Sequence, residues 1–325
     1  MRSTVATVPV TVSVVNRNRS LLPCAADGRR YRLRAHLVGP PARLTRGVVP
    51  VMSVYIHDIT TTGSFWGPRR FPRYDFVRRM AAAGHVAVVV DRLGYGASPH
   101  PDGMHTCLGA QADMVQQVVS AVRSGRYTSP TWHPKARRVA LVGHSVGAGI
   151  AQLAAASFRG VHGLVLMSWS DLGVSQLAVS ESEAQHRACA LTLATGADRH
   201  YARFGRSRRV YRAMLFVTAP RRVQRWATRR WVPDPCGDAV TLAQLAAANT
   251  GAAHLVDVPV LLLFGERDAL NRPEAADLHR SVYGPDVRVS TRTFTGTGNA
   301  LPLERAAPGV RAAVSRWLCR WWPCR

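Results

Sequence analysis

The sequence predicts an α/β protein with a mostly parallel central sheet, helices on both faces of that sheet, and a helical cap inserted into the alternation. Two observations carry this prediction. Short apolar runs alternate with helical patterns up to residue 167, and the same alternation resumes between residues 258 and 318. Residues 171–255 between them contain helical patterns but no buried-strand run. Strands separated by helices favour parallel pairing, because parallel neighbours need a crossover connection.

The N-terminal half predicts five strands before a central sharp turn. Residues 8–15 and 31–38 alternate apolar and polar side chains, the period of half-buried strands, with turn residues between them. Residues 48–56 and 86–90 are largely apolar, which is typical of strands buried on both faces. Helical patterns cover residues 76–83 and 110–123, and a fifth strand ends near residue 142.

That fifth strand runs directly into Gly143-His144-Ser145-Val146-Gly147, and a helical pattern of small residues follows. A Gly-x-Ser-x-Gly sequence between a buried strand and a helix is the context of a nucleophile elbow, in which a strained turn exposes a serine hydroxyl. The two glycines remove side chains where strand and helix approach closely. The pattern therefore predicts Ser145 as a nucleophile, with a plain strand-to-helix turn as the alternative.

The remaining elements define the expected domains. A strand at residues 161–167 is followed by helical patterns that cover residues 177–194, 209–216, 221–231 and 241–249. Strands near 258–264 and 287–294 then alternate with helices near 273–282 and 304–318. We expect a core formed by residues 1–170 and 256–325, with residues 171–255 as a helical cap that would govern substrate choice.

The chain is strongly basic, with 43 Lys and Arg residues against 19 Asp and Glu residues and a formal net charge of +24. Lys135 is the only lysine, and a surface selected for polyanions usually mixes both basic residue types. We therefore attribute most of the charge to compositional bias. The less favoured interpretation is that arginine and aromatic residues of the cap bind nucleic acid or an anionic membrane surface.

The six cysteines are scattered and lack the spacing of zinc ligands, so we expect no metal site. They also lack the density of a disulfide scaffold, so we expect free thiols and a cytoplasmic location. The longest apolar runs are too short to span a membrane. Arg2 followed by the apolar residues 5–15 could mimic a short secretory segment. The alternation within that stretch favours a strand instead.

Five motifs, in this order and spacing, give the chain a resemblance to the α/β-hydrolase superfamily across roughly residues 30–318. They are Tyr55-Ile56-His57-Asp58, the loop from Asp91 to Ser98, the Ser145 elbow, Gly265-Glu266-Arg267-Asp268, and Gly298-Asn299-Ala300-Leu301-Pro302. The resemblance implies a serine–acid–histidine triad, with Ser145 as nucleophile and Asp268 as acid. Asp171, after the preceding strand, is the alternative acid, and Glu266 is the local competitor.

The resemblance also implies an oxyanion hole made by the backbone amides of Val146 and Ile59, with Asp58 or Thr60 as alternative sources of the second amide. Relatives often carry glycine at the position of Asp58. A carboxylate there would weaken stabilisation of a developing negative charge if it points inward, and the sequence leaves inward and outward equally open.

The base position departs from the pattern, because Asn299 stands where the family carries histidine. An amide has no proton to exchange near neutral pH, so Asn299 cannot act as a general base. His57 is the alternative base, since it ends the third strand near the oxyanion loop. His144 lies inside the elbow, where we expect its ring to point away from the serine.

Our leading hypothesis is a serine hydrolase of a small or medium apolar ester or related acyl substrate, without a cofactor and with activity impaired by Asn299. The alternative is a non-catalytic protein that keeps the pocket and binds such a ligand without turnover. A basic nucleic-acid or membrane-surface protein is the third hypothesis.

Overall fold

The computed structural model describes residues 5–322, and its centre is an eight-stranded sheet. The strands are β1 (Ala6–Val15), β2 (Arg30–Gly39), β3 (Val48–Ile56), β4 (Ala87–Val90), β5 (Lys135–His144), β6 (Gly163–Met167), β9 (Val260–Gly265) and β10 (Val289–Phe294). Their order across the sheet is β1-β2-β4-β3-β5-β6-β9-β10. A separate two-stranded sheet pairs β7 (Tyr201–Ala202) with β8 (Asp234–Pro235).

The sequence pattern explains which strands are parallel. The six neighbouring strands β4, β3, β5, β6, β9 and β10 are parallel. β4, β6 and β9 are buried along their whole length. Strands covered on both faces need continuous apolar runs, as found here. β1 and β2 instead form an antiparallel pair at one edge with alternating burial, as the period of two predicts.

Helices cover the sheet and fill most of the chain between β6 and β9. The helices are α1 (Pro41–Leu44), α2 (Phe76–Ala82), α3 (Leu108–Ser124), α4 (Val146–Ser157), α5 (Gln176–Thr195), α6 (Arg208–Leu215), α7 (Arg221–Thr228), α8 (Cys236–Val240), α9 (Leu242–Ala252), α10 (Ala275–Ser281) and α11 (Ala307–Trp321). α3 and α4 pack on β5 and carry long buried faces, so the strand that leads to Ser145 lies in the centre of the core.

The segment after the sixth strand contains α5 to α9, as the helical pattern predicts. The sequence analysis missed α8 and the β7–β8 pair, because elements of two to five residues are too short to show a period. α8 connects this segment to the rest of the chain, because Asp238 accepts from Arg92 Nη1 and the Thr241 hydroxyl that follows α8 accepts from the Leu108 amide. The small sheet joins α5 and α8 within the segment. The Cys236 amide donates to the carbonyl of His200, and Gln185 on α5 donates to the Ala202 carbonyl.

The expectation of free thiols is wrong for this structure. Cys24 and Cys107 form one disulfide, Cys189 and Cys236 form another, and Cys319 is disulfide-bonded as well. The first bond ties the segment before β2 to the start of α3, and the second joins α5 to α8. The bonds link cysteines 83 and 47 residues apart, so no local spacing motif could have revealed them.

Within residues 5–322, the structure contains no helix long and apolar enough to cross a membrane. The same residues contain no group of three His, Cys, Asp or Glu side chains arranged to hold a metal ion. Residues 6–15, the stretch with a secretory-like composition, form β1 and pair with β2 along their length.

Candidate active site

Ser145 lies at a sharp turn between β5 and α4. Its backbone adopts φ 50° and ψ −125°, a conformation that a non-glycine residue rarely adopts. A Cβ atom at Gly147 would lie 2.5 Å from the His57 carbonyl oxygen, and one at Gly143 would overlap the backbone of Ala148. The two glycines therefore let β5 and α4 approach closely enough to hold the serine in this strained position.

The Asp268 carboxylate lies in the loop after β9 and is almost fully buried. The Leu270 amide donates to one of its oxygens at 2.9 Å, and the Asn271 side-chain amide donates to the other at 3.1 Å. Burial raises the pKa of Asp268 to about 6, although these hydrogen bonds favour the charged form.

Asn299 occupies the place opposite Asp268. Its side-chain Nδ2 lies 3.1 Å from both oxygens of the Asp268 carboxylate. Its backbone carbonyl lies 3.0 Å from His144 Nε2 and accepts a 2.7 Å hydrogen bond from the Ser168 hydroxyl. Asn299 is completely buried, and its Oδ1 has no partner within residues 5–322. The carboxylate at the acid position therefore holds an amide that cannot exchange a proton.

Asp58 points inward. Its Oδ1 accepts a 3.0 Å hydrogen bond from the Val146 amide, the donor that the sequence assigns to an oxyanion hole. Burial raises the pKa of Asp58 to about 7, while the Val146 amide and the nearby Ser145 side chain act in the opposite direction. A protein carboxylate thus accepts from the amide that the resemblance assigns to an oxyanion hole.

The next residues of this loop are also engaged. Ile59 is buried, and the Thr60 amide donates to Asp234 Oδ1 at 2.5 Å. Asp234 also accepts from Gln185 and from the Phe204 amide, and burial raises its pKa to about 7. The sequence analysis missed Asp234, because a lone Asp between prolines in a helical segment resembles an ordinary loop residue.

Both ring nitrogens of His57 are occupied away from Ser145. Nδ1 lies 2.6 Å from the Asp58 carbonyl oxygen, and Nε2 accepts from the Arg92 amide at 3.1 Å. Burial holds the pKa of His57 well below its usual value. His144 is buried against Phe65, as expected for a ring pointing away from the serine. Within residues 5–322, no imidazole hydrogen-bonds Ser145.

Asp171, the alternative acid, lies in a different polar cluster. Its carboxylate accepts from Gln152 at 2.8 Å and from the Trp169 indole at 2.7 Å. His279 Nδ1 lies 3.5 Å from the carboxylate. Burial raises the pKa of Asp171 to about 7 and lowers that of His279 to about 3. Asn299 makes its carboxylate contacts with Asp268 instead.

Side chains of the inserted segment close over this region. Phe65, Tyr211 and Leu215 line a cavity of only about 10 Å³, and Ser145 is 6% exposed. Phe65 stacks on His144, and the Leu215 carbonyl accepts from the Ala300 amide, so the cavity adjoins the elbow and the Asn299 loop. About one water molecule fits in a space of this size.

The sequence matches the profile of the Alpha/beta hydrolase family over residues 54–313. No curated protein sequence matches the chain. The fold is similar to that of an esterase from Thermogutta terrifontis, with a TM-score of 0.65 at 16% identity, covering 94% of this chain and 98% of that one. It is also similar to a monoacylglycerol lipase from Paleococcus ferrophilus, with a TM-score of 0.63 at 16% identity, covering 89% and 98%.

A third similar structure is an esterase from Exiguobacterium antarcticum, with a TM-score of 0.60 at 16% identity, covering 91% of this chain and 97% of that one. These identities establish a shared fold and nothing about substrate. The profile match extends over most of the chain, from β3 to α11, and includes the elbow, the Asp268 loop and Asn299. The chain therefore belongs to the α/β-hydrolase family.

Proposed function

We propose that this protein binds an ester or related acyl ligand next to Ser145 without turning it over by a serine–histidine–acid mechanism. The observation that carries the proposal is the pair of substitutions around the serine. Asn299, at the position where the resemblance implies a base, donates to Asp268, and the Asp58 carboxylate accepts from the Val146 amide that would otherwise stabilise an oxyanion. Either change alone would impair turnover, and the two act on separate steps of it.

The missing base has the larger expected effect. A serine hydroxyl attacks only weakly unless a neighbouring group accepts its proton. His57 is engaged through both nitrogens, and the Asn299 amide cannot take the proton. Loss of the catalytic histidine costs on the order of 10⁶-fold in rate, whereas a single oxyanion donor is worth roughly 10²–10³-fold.

The strained backbone of Ser145 supports a retained ligand site rather than an unrelated use of the fold. A conformation at φ 50° costs roughly 1–3 kcal/mol and persists only where surrounding structure imposes it. Gly143 and Gly147 keep the space that this conformation needs. The apolar side chains of Phe65 and Leu215, which line the small cavity near the Asn299 loop, suit the acyl part of a ligand.

Restoring the two missing groups tests the proposal. We expect the wild-type protein to hydrolyse a p-nitrophenyl ester no faster than its Ser145→Ala variant. Asn299→His and Asp58→Gly should each restore little, while the double variant should gain orders of magnitude in kcat/KM. Adding Ser145→Ala to the double variant is the matched control and should abolish that gain. Serine-dependent turnover at an enzyme's usual rate by the wild-type chain would overturn the proposal.

A second candidate function is slow serine-dependent acyl transfer with Asp58 as the base. It is favoured by the closeness of the Ser145 side chain to Asp58 and by burial that raises the pKa of Asp58 to about 7, which suits a group that accepts a proton at neutral pH. A fluorophosphonate probe distinguishes the two. Labelling of Ser145 that rises between pH 6 and 8 and disappears in Asp58→Asn supports the base role, and absence of labelling after long exposure excludes it.

A further inference from the structure

A groove of about 1200 Å³ that does not include Ser145 lies between two separate segments of the chain. We call it the arginine groove. One wall is the segment before and at the start of α2, and the other is α7 with the two residues that follow it. Thr62, Ser64, Trp226 and Arg230 line both this groove and the small cavity beside the elbow, so the two adjoin.

Each wall contributes four arginines, although the two segments are far apart in the sequence. The first wall provides Arg69, Arg70, Arg73 and Arg78. The second wall provides Arg222, Arg225, Arg229 and Arg230. All of them except the half-buried Arg78 are exposed to solvent. The fold therefore gathers two arginine clusters around one concave space, which concentrates their electrostatic field.

The carboxylates of the groove are already occupied. Asp91 accepts hydrogen bonds from the Gly63 and Ala97 amides, and Asp75 caps α2 by accepting from the Arg78 amide. They are the two acidic residues among those that line the groove, against eight arginines. Nearby, burial and the charges of Arg79 and Arg73 lower the pKa of Arg311 to about 10, which indicates a positive potential that local acids do not balance.

Compositional bias does not account for this concentration. Lys and Arg make up 43 of the 325 residues of the chain, whereas eight of the 23 residues lining the groove are arginine. The composition of the whole chain would give about three basic residues among 23. The excess is local, which points to a ligand of opposite charge.

We infer that the arginine groove is a binding site for a free oligophosphate ligand. A guanidinium group matches phosphate oxygens with two parallel hydrogen bonds, and a groove with several of them suits a ligand with several adjacent phosphate groups. The volume exceeds that of most small-molecule pockets, so the ligand can carry further groups.

Two other polyanions fit less well. The groove is concave, and the most exposed large apolar residues, such as Leu191 and Leu193, lie outside it, so it has no apolar edge to insert into a flat membrane. Base stacking needs free aromatic faces. Arg222 covers Phe71 at 5.7 Å and Arg230 covers Trp226 at 4.6 Å, so both rings already have cations on them.

Calorimetric titration of the full chain with inorganic tripolyphosphate at physiological ionic strength tests this inference. We expect saturable binding, and at least a tenfold loss of affinity in Arg225→Glu/Arg229→Glu. Both side chains are exposed and make no hydrogen bond or ion pair within residues 5–322, so this variant should fold. Arg225→Lys/Arg229→Lys, which keeps the charge but removes the planar donors, should lose less.

The matched control is Arg280→Glu/Arg316→Glu, which changes net charge equally at exposed positions outside the groove. It should bind within about twofold of wild type, as should Ser145→Ala, which separates this site from the proposed acyl site. Absence of tripolyphosphate binding, or equal losses in the groove and control variants, would overturn the inference. Groove-dependent binding of single-stranded oligothymidylate or phosphatidylglycerol vesicles without tripolyphosphate binding would overturn it in favour of that polyanion.

Discussion

The Asp58 carboxylate and the Val146 backbone amide form a 3.0 Å hydrogen bond at the first turn of α4. The amide is one of the unpaired donors at the start of a helix, where the helix dipole also favours a negative charge. Burial opposes that charge and dominates, since the pKa of Asp58 rises to about 7 despite the hydrogen bond. The carboxylate that accepts from the Val146 amide is therefore a buried group whose pKa is raised to about 7.

Asp58→Asn should make the stability of the protein less dependent on pH. The pKa of Asp58 is raised from an ordinary 3.8 to about 7 in the folded protein. The stability that this shift contributes is fully present below pH 3.8 and is lost as the pH rises through about 7. The asparagine keeps an acceptor for the Val146 amide without a charge. The urea concentration at the unfolding midpoint of Asp58→Asn, minus that of wild type, should therefore increase between pH 5 and pH 8.

The control is Asp257→Asn, because the Asp257 side chain is 67% exposed and contacts only the exposed Arg159. Its difference from wild type should be the same at both pH values. If the difference in urea midpoint between Asp58→Asn and wild type is also the same at both pH values, Asp58 is charged throughout this range.

Gly147→Ala should destabilise the protein because its new Cβ would lie 2.5 Å from the His57 and Ile56 carbonyl oxygens. Those oxygens belong to the backbone and cannot rotate away, so β3 and α4 must separate. Overpacking of this kind costs about 1–3 kcal/mol of the free energy of unfolding. Gly251→Ala in α9 is the control, since its Cβ would meet nothing within 4 Å, and it should stabilise by about 0.5–1 kcal/mol. Thermal unfolding of both variants measures the contrast.

The sequence predicts the fold well because the signals that set it are local. Alternation in β1, continuous apolar runs in β3 and β9, and the glycines around Ser145 each arise from neighbouring residues. The roles of Asp58 and Asp234 depend on contacts across 88 and 174 residues of sequence. No local pattern records the direction in which such a side chain points. The expectation that Asn299 takes the place of the base comes from a local motif, and it stays a prediction.

Arg92→Met should cost about 3–5 kcal/mol of the free energy of unfolding, because it leaves a buried carboxylate without its cation. Arg92 Nη1 lies 2.9 Å from Asp238 Oδ2, and the two side chains are 2% and 0% exposed. Methionine fills much of the volume, so the loss measures charge rather than a cavity. Arg159→Met is the matched control, because its 3.2 Å pair with Asp257 is exposed and should contribute nothing measurable. Similar urea midpoints for the two variants would contradict a dominant role for the buried pair.

Replacing both Cys189 and Cys236 with alanine should destabilise the segment between β6 and β9. The disulfide closes a loop of 47 residues between α5 and α8, and a crosslink of that length stabilises by about 4 kcal/mol through the entropy of the unfolded chain. Both cysteines are buried in a small cluster with Ala202 and Ala239, so alanine leaves the packing largely intact.

Thiol titration of the urea-unfolded protein, with and without prior reduction, checks the bond itself. Protein purified under oxidising conditions should expose thiols at positions 189 and 236 only after reduction. Without reductant, the double variant should unfold at a lower urea concentration than wild type. Under reducing conditions, which also open Cys24–Cys107 in both proteins, the two should unfold at the same urea concentration. Reactive thiols at both positions without reduction would show instead that packing alone holds α5 against α8.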